Sequence, residues 1–147
     1  MKLIIHAAAG TIALLTISSF WTSTILSEIF GTHETIAAVK TAVLWGMLIL
    51  IPAMATAGAT GNTLGKGWRL PEVARKTKRM KIIAANGILI LLPSAIFLAL
   101  RAQAGHFDVI FYSLQGLELI AGATNITLLS LNMKDGIAFR ARRRKRG

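Results

Sequence analysis

The chain has 147 residues, 54% of them hydrophobic, a formal net charge of +11 and no cysteine. The lack of cysteine excludes disulfides, zinc fingers and thiolate-ligated clusters. The apolar residues form four long blocks, and about 20 consecutive apolar residues suffice to cross a bilayer as a helix. These features exclude an ordinary soluble domain and predict an all-α integral membrane protein.

The four apolar blocks predict four membrane-spanning helices in a single transmembrane domain. The first block is longer than the apolar core of a signal peptide and is followed by a poor cleavage pattern, so we expect it to be a retained span. The predicted spans cover about residues 3–30, 35–58, 82–100 and 109–133, and residues 134–147 form a basic tail.

Residues 61–81, between the second and third spans, are polar, basic and contain glycine. Pro71 is suited to the first turn of a short surface helix within this segment. Pro52 and Pro93 lie inside the second and third spans, where proline kinks are tolerated. We therefore expect one long loop on this side of the membrane and two kinked spans.

The distribution of lysine and arginine predicts the orientation. The N-terminus, residues 61–81 and the tail hold 1, 7 and 7 of these residues, whereas the two short turns hold only Arg101. Because basic residues are retained on the cytoplasmic side, both termini are predicted to be cytoplasmic, in the inner (plasma) membrane of a bacterium. Short turns join the first span to the second and the third to the fourth. They predict two antiparallel hairpins and hence a four-helix bundle.

The two basic segments also bear on partners. We expect them to contact anionic lipid at the membrane surface, and we predict no nucleic-acid partner.

The fourth span carries a stripe of polar residues in which Gln115, Glu118, Asn125 and Asn132 follow one another at spacings of 3, 7 and 7. A carboxyl group near the bilayer centre costs several kcal/mol unless it is protonated or paired. Lys40 in the second span lies at a depth within about 6 Å of Glu118, so we predict that the two interact. The alternative is that the stripe only joins helices through hydrogen bonds.

His6 begins the sequence "HAAAG", in which small residues leave open space beside the imidazole. A flat ligand such as haem b would fit there, because histidine is the usual axial ligand of b-type haems. The sixth ligand in this interpretation is Met54, Met80, Met133 or the His6 of another subunit.

His33 and His106 mark the starts of the second and fourth spans and suggest a different site. The two histidines could hold a haem between them near the outer surface. They could instead bind a divalent metal together with Glu28, Glu34 or Asp108, since imidazole and carboxylate suit zinc, copper or iron. The third interpretation is that both are exposed loop histidines.

Three stretches carry a family resemblance: "AAVKTAVLWGMLILIPA", "KRMKIIAANGILILLP" and "LELIAGATNITLLSLNMKDG". They resemble small four-span bacterial inner-membrane proteins that have no established function, and this resemblance implies no catalytic residue. More loosely, a four-helix membrane bundle with histidines near its helix ends is similar to small b-type cytochromes. This second resemblance implies haem binding, although those cytochromes generally pair histidines within helices.

Three functions are open on the sequence alone. The first is a haem protein that transfers electrons or senses a redox ligand through His6, His33 or His106. The second is a small oligomeric transporter or proton-coupled channel, expected as a homodimer, that uses Lys40 and Glu118. The third is an accessory subunit of a larger membrane complex. No catalytic residue is assigned, because the nucleophile elbow, P-loop and dinucleotide fingerprint are all lacking.

Overall fold

The computed structural model describes residues 1–67 and 71–144, apart from the side chains of residues 140, 143 and 144. The described chain is all-α. Its helices are α1 (Lys2–Phe30), α2 (His33–Gly65), α3 (Pro71–Asn86), α4 (Leu92–Gln103) and α5 (Val109–Arg144), and the π-helical segment Gly87–Leu91 joins α3 to α4.

Within the described residues, four helices are long and apolar enough to cross a membrane: α1, α2, the continuous helix Pro71–Gln103, and α5 from Val109 to Phe139. This confirms the prediction of an all-α protein with four candidate spans. Large apolar side chains are exposed on the outside of the bundle, as Trp45, Leu48 and Ile120 illustrate. Such a surface would be a liability in water and suits contact with lipid, which supports a multi-pass membrane protein.

The helices extend beyond the apolar spans. α2 continues to Gly65, α3 begins at Pro71, and α5 continues to Arg144. Hydropathy marks the part of a helix that suits lipid, whereas a helix ends where its backbone hydrogen bonds end. Much of segment 61–81 and of the basic tail is therefore helical. Residues 68–70 and 145–147 lie outside the described residues.

The turn between α1 and α2 consists of Gly31 and Thr32. The Gly31 amide donates to Ser27 O over 2.9 Å, and a Cβ at Gly31 would lie 2.5 Å from that oxygen, so the turn requires glycine. The Thr32 hydroxyl accepts from the Thr35 amide at 3.3 Å and caps the start of α2.

The turn between α4 and α5 has a comparable construction. Gly105 adopts φ +73°, a left-handed conformation that glycine tolerates without strain. Asp108 Oδ1 accepts from the Phe111 amide at 3.0 Å and caps α5, while its Oδ2 accepts from Arg101. The hydrogen bond from the Phe111 amide, together with the neighbouring Arg101 charge, lowers the pKa of the Asp108 carboxyl.

The helices form a four-helix bundle in which α1 contacts α2, α2 contacts α4, α4 contacts α5, and α5 contacts α1. α2 and α5 are therefore on opposite corners, and no close backbone contact joins them within the described residues. Two apolar clusters of described residues fill the interior. One contains Ala13, Ile17, Leu50, Ala53, Ile83 and Leu129, and the other contains Ile36, Leu98, Ala102 and Phe111.

The π-helical segment lies immediately before Pro93, where the sequence predicts a kink. Proline has no amide hydrogen, and its ring excludes the carbonyl four residues earlier. In the segment, the Leu92 amide donates to Gly87 O, five residues back, so one turn is wider than an α-turn. We attribute this wide turn to the proline, because π-turns are a recognised way to absorb such a conflict.

Candidate functional site

Two ends of the bundle can be distinguished. We call the end with Lys2, Gly65 and Pro71 the basic end, and the end with the turns at 31–32 and 104–108 the turn end.

An ion pair joins α2 to α5 inside the bundle. Lys40 Nζ lies 2.5 Å from Glu118 Oε2, and the side chains are 1% and 12% exposed. This confirms the predicted contact between the two residues. Because α2 and α5 are on opposite corners, the pair crosses the interior of the bundle instead of joining two adjacent helices. Two charges held in a membrane core are a costly way to obtain packing alone.

Two more polar groups accompany this pair. Gln115 Nε2 donates to the same Glu118 oxygen over 3.0 Å. Glu28, in the last turn of α1, interacts electrostatically with Lys40, Glu118 and His33. Glu28 Oε1 and Gln115 Oε1 are both buried, and neither has a hydrogen-bond partner within the described residues. Lys40 is thus ion-paired with Glu118 alone among the described residues, and the cluster has acceptor oxygens available for a proton or a water molecule.

Asn125 serves a different purpose from Glu118. Asn86 Nδ2 donates to Asn125 Oδ1 and to Ala121 O, both over 2.8 Å, and Asn125 Nδ2 donates to Ile83 O over 3.2 Å. The two asparagines therefore join α3 to α5 just before the π-helical segment. For Asn125, the geometry matches the interpretation that the polar stripe holds helices together.

The basic end is held by a second set of contacts between α3 and α5. Arg79 donates to Asp135 over 2.8 Å and to Asn132 Oδ1 over 3.4 Å, and Arg75 lies 3.4 Å from Asp135. Asn132 is 7% exposed, and its Nδ2 has no acceptor within the described residues. One buried amide donor is thus available at this end.

A cavity of about 1180 Å³ lies between the helices, and it extends from the level of Glu118 and Trp21 to the basic end. Its wall is largely apolar. Ile88 and Ile137 belong to this wall and are each 64% exposed, so the cavity is open near both. Its ionisable and amide lining includes His6, Lys76, Lys81, Glu118, Asn132 and Asp135. Glu118 is therefore in contact with the cavity on one side and with Lys40 on the other.

The first predicted cofactor ligand, His6, lines the same cavity. Its Nδ1 lies 3.0 Å from Ala57 O and 3.1 Å from Thr60 Oγ1. A carbonyl only accepts, so the Nδ1–H donates and Nε2 is the nitrogen that carries a lone pair. A Cβ at Gly61 would lie 3.0 Å from His6 Cε1, so the imidazole packs closely on α2. The three methionines that the sequence suggests as sixth ligands all line this cavity: Met54, Met80 and Met133.

The other two histidines lie at the turn end, His33 as the first residue of α2 and His106 in the turn before α5. The His33 ring stacks on Phe107, with centroids 4.0 Å apart and an angle of 7° between the planes. The two turns are thus in contact, but through Phe107, the residue after His106. Both histidines are exposed. Within residues 1–67 and 71–144, no three or more His, Cys, Asp or Glu side chains are grouped as a metal site would require.

Some residues of the site were not singled out from the sequence. Trp21 Nε1 donates to Leu119 O over 2.9 Å, and its ring packs on Gly122, where a Cβ would lie 3.0 Å from Trp21 Cδ1. The sequence indicates Glu28 only as a metal ligand at the outer surface. Neither residue follows a spacing rule that could have indicated its partner, because each partner lies on a different helix.

Comparisons with known proteins give no relative from which a function could be transferred. No family model matches the chain, and no curated protein or solved structure matches it either. The resemblances to four-span membrane proteins and to b-type cytochromes therefore rest on sequence pattern alone.

Proposed function

We propose that the protein is a proton-coupled membrane transporter in which Glu118 binds and releases the proton. One observation carries the proposal: Glu118 is paired with Lys40 inside the bundle and also lines the cavity that extends to the basic end. Ionisable residues inside membrane spans mark substrate and proton pathways, because their burial is costly without such a role. Water in the cavity would bring protons to this carboxylate from one side only.

The neighbouring groups suggest how proton binding is linked to movement. When Glu118 takes up a proton, it no longer neutralises Lys40, and the ammonium group then needs another anion. Glu28 offers one, since it interacts with Lys40 and has a buried oxygen without a partner within the described residues. In this scheme Lys40 exchanges Glu118 for Glu28, which lies closer to the turn end.

The topology belongs to the same proposal. The chain forms two antiparallel hairpins, α1–α2 and α3/α4–α5, with both termini in the cytoplasm of a bacterial inner membrane. The supporting observation is the concentration of basic residues at one end of the bundle. The cavity then opens toward the cytoplasm. Four spans are few for a transporter, so we expect a homodimer.

Proton flux in vesicles tests the proposal. The purified protein is reconstituted with zwitterionic and acidic lipids around the pH-sensitive dye pyranine, and an acid step is applied outside with the membrane potential clamped. We expect the wild type to acidify the interior faster than Glu118→Gln, because the amide cannot carry the proton. Glu34→Gln removes an exposed carboxylate at the start of α2 and should behave like the wild type. Equal rates for wild type and Glu118→Gln would show that Glu118 is structural and would overturn the proposal.

Haem binding is a second candidate, and His6 is the ligand that the geometry favours for it. A histidine that ligates a metal commonly donates its other ring N–H to a backbone carbonyl, as His6 Nδ1 does to Ala57 O. Haem b would supply one-electron chemistry at this position, with a methionine of the cavity wall as the second ligand. A Soret band in the purified protein, lost in His6→Ala, would support this candidate. A colourless protein from haem-replete cells that stays unchanged on adding haemin would contradict it.

A further inference from the structure

Hydrogen-bond donors without acceptors are gathered at the basic end of the cavity. Asn132 Nδ2 is buried and has no partner within the described residues, while its Oδ1 is held by Arg79. The half-buried Lys76 lines the cavity, and its Nζ packs on Gly136, where a Cβ would lie 3.3 Å away. Asn132 and Gly136 are one turn apart on α5, so the ammonium and the amide are on the same side of that helix.

The acidic residues of this end are already paired. Asp135 accepts from Arg79 and Arg75, and Glu72 lies 3.9 Å from Arg142. By contrast, neither Lys76 nor Lys81 forms a direct ion pair in the described ranges, although the Asp135 carboxylate also acts electrostatically on Lys76. Both lysines line the cavity. The basic end of the cavity thus combines two lysine charges with a buried amide donor, an arrangement that fits an anionic oxygen.

The length of the cavity indicates what the anion is attached to. Leu119, which accepts from Trp21, and Asn132 both line the cavity and are 13 residues apart on α5, a rise of about 20 Å. Half of a bilayer, counted as hydrocarbon plus the head-group region, is about 20–22 Å thick. The wall between these levels is largely apolar and open near Ile88. A lipid of the adjacent leaflet would therefore match the cavity in length, polarity and access.

We infer that the cavity binds an acidic phospholipid drawn from the leaflet at the basic end. Its phosphate is held by Lys76 and Asn132, and its acyl chains extend toward Trp21. Basic pockets between spanning helices are a recurrent form of lipid recognition. This assignment rests on the proposed function in one respect: the lipid is the substrate whose movement is linked to the proton on Glu118.

Quenching of Trp21 by brominated lipid tests the binding site. The protein has three tryptophans, so Trp45→Phe and Trp68→Phe leave Trp21 as the one emitter. This protein is placed in vesicles of phosphatidylcholine and phosphatidylglycerol, with bromine on the acyl chains of one lipid at a time. We expect brominated phosphatidylglycerol to quench Trp21 more strongly than its share of the bilayer predicts.

Two charge variants distinguish lipid binding in the cavity from attraction of lipid to the general surface charge. Lys76→Gln should weaken the preference for phosphatidylglycerol about fivefold, the effect of one lysine charge at a membrane surface. Lys78→Gln removes an exposed charge on the same helix outside the cavity wall, so it should reduce the quenching of Trp21 by phosphatidylglycerol less than Lys76→Gln does. Equal quenching by the two lipids, or equal effects of the two variants, would overturn the inference. Trp21 quenching by a coloured haem that copurifies would also overturn it, since haem would then occupy the cavity.

The quenching experiment is independent of the proton-flux experiment, because the protein used for quenching has an intact Glu118. If the protein shows no preference for phosphatidylglycerol while Glu118→Gln abolishes proton flux, only the lipid assignment is contradicted. If the protein prefers phosphatidylglycerol while Glu118→Gln leaves the proton flux unchanged, the proposed transport is contradicted and the lipid site is supported.

Discussion

Lys40 and Glu118 pair across the diagonal of the bundle, with 2.5 Å between Nζ and Oε2, although no close contact joins the backbones of α2 and α5 within the described residues. The pair therefore depends on two long side chains that reach toward each other through the interior. Gln115 and Glu28 surround it, and the cavity lies on the side of Glu118. We therefore expect the pair to affect both the stability of the protein and proton flux, and each effect can be tested.

Removing the lysine should destabilise the protein. Lys40→Met leaves the Glu118 carboxylate without its counter-charge, and breaking a buried ion pair in this way costs about 3–5 kcal/mol. The free energy of unfolding, measured by denaturant titration in detergent, should fall by this amount. Lys78→Met is the matched control, because Lys78 is exposed and its loss should change little.

Removing both charges should restore stability but not transport. Lys40→Met combined with Glu118→Leu replaces the pair by apolar side chains, which is often neutral or stabilising. The double variant should unfold close to the wild type and still show no protein-dependent proton flux. Full flux in the double variant would show that the pair is only a packing element.

Close packing of α1 on α2 predicts a sensitive glycine. A Cβ at Gly46 would lie 2.3 Å from Phe20 Cζ, so the aromatic ring must move in Gly46→Ala. Overpacking of this kind costs about 1–3 kcal/mol. Gly116 has nothing within 4 Å of a Cβ, so Gly116→Ala should leave the melting temperature in detergent unchanged. If Phe20 is the cause, Phe20→Leu should largely rescue Gly46→Ala.

The asparagine contact between α3 and α5 should contribute modestly. Asn125→Leu removes the hydrogen bonds to Asn86 and to Ile83 O. Polar contacts between membrane helices are worth about 0.6 kcal/mol on average and up to about 1.7 kcal/mol. We therefore expect the free energy of unfolding to fall by an amount in this range. Thr127→Val, at an exposed position of α5, should cost less. A loss well above this range would indicate that Asn125 does more than join the helices.

The cap of α5 should depend on pH. The Phe111 amide and Arg101 lower the pKa of Asp108 from its ordinary value of 3.8. Because the folded pKa is below the unfolded one, the stabilisation is fully present above the ordinary pKa and is lost as the pH falls through the lowered one. Protection of the Phe111 amide, followed by nuclear magnetic resonance, should decline in that acid range. Asp108→Asn keeps a capping side chain but removes the carboxylate, so the same decline should be smaller.

Much of the architecture was predictable because a bilayer restricts which secondary structures can span it and where charged residues can lie. Blocks of apolar residues in this chain indicate spanning helices, and the depth of a charged residue follows from its distance to the turn. Those two rules sufficed to pair Lys40 with Glu118. Pro71 correctly indicated the start of α3, but the end of α2 did not follow from the sequence, since a helix continues in water once its hydrogen bonds and caps allow it. The wide turn before Pro93 likewise depends on local backbone geometry.

The cavity could not be derived from the sequence, because it is a space left between helices. His6, Lys76 and Asn132 are on three different helices, and no spacing along the chain indicates that they surround one volume. The contact of His33 likewise could not be derived from spacing along the chain. His33 begins α2 and His106 lies in the turn before α5, yet Phe107 is the residue that stacks on His33. Which member of a turn contacts a neighbour depends on backbone directions that residue types do not specify.

Whether Glu118 exchanges a proton can be seen by infrared difference spectroscopy of the reconstituted protein. Spectra are recorded across a titration from alkaline to acid pH, for the wild type, Glu118→Gln and Glu34→Gln. We expect a carboxyl band that appears on acidification in the wild type and in Glu34→Gln and is missing from Glu118→Gln. An identical carboxyl titration in wild type and Glu118→Gln would contradict it.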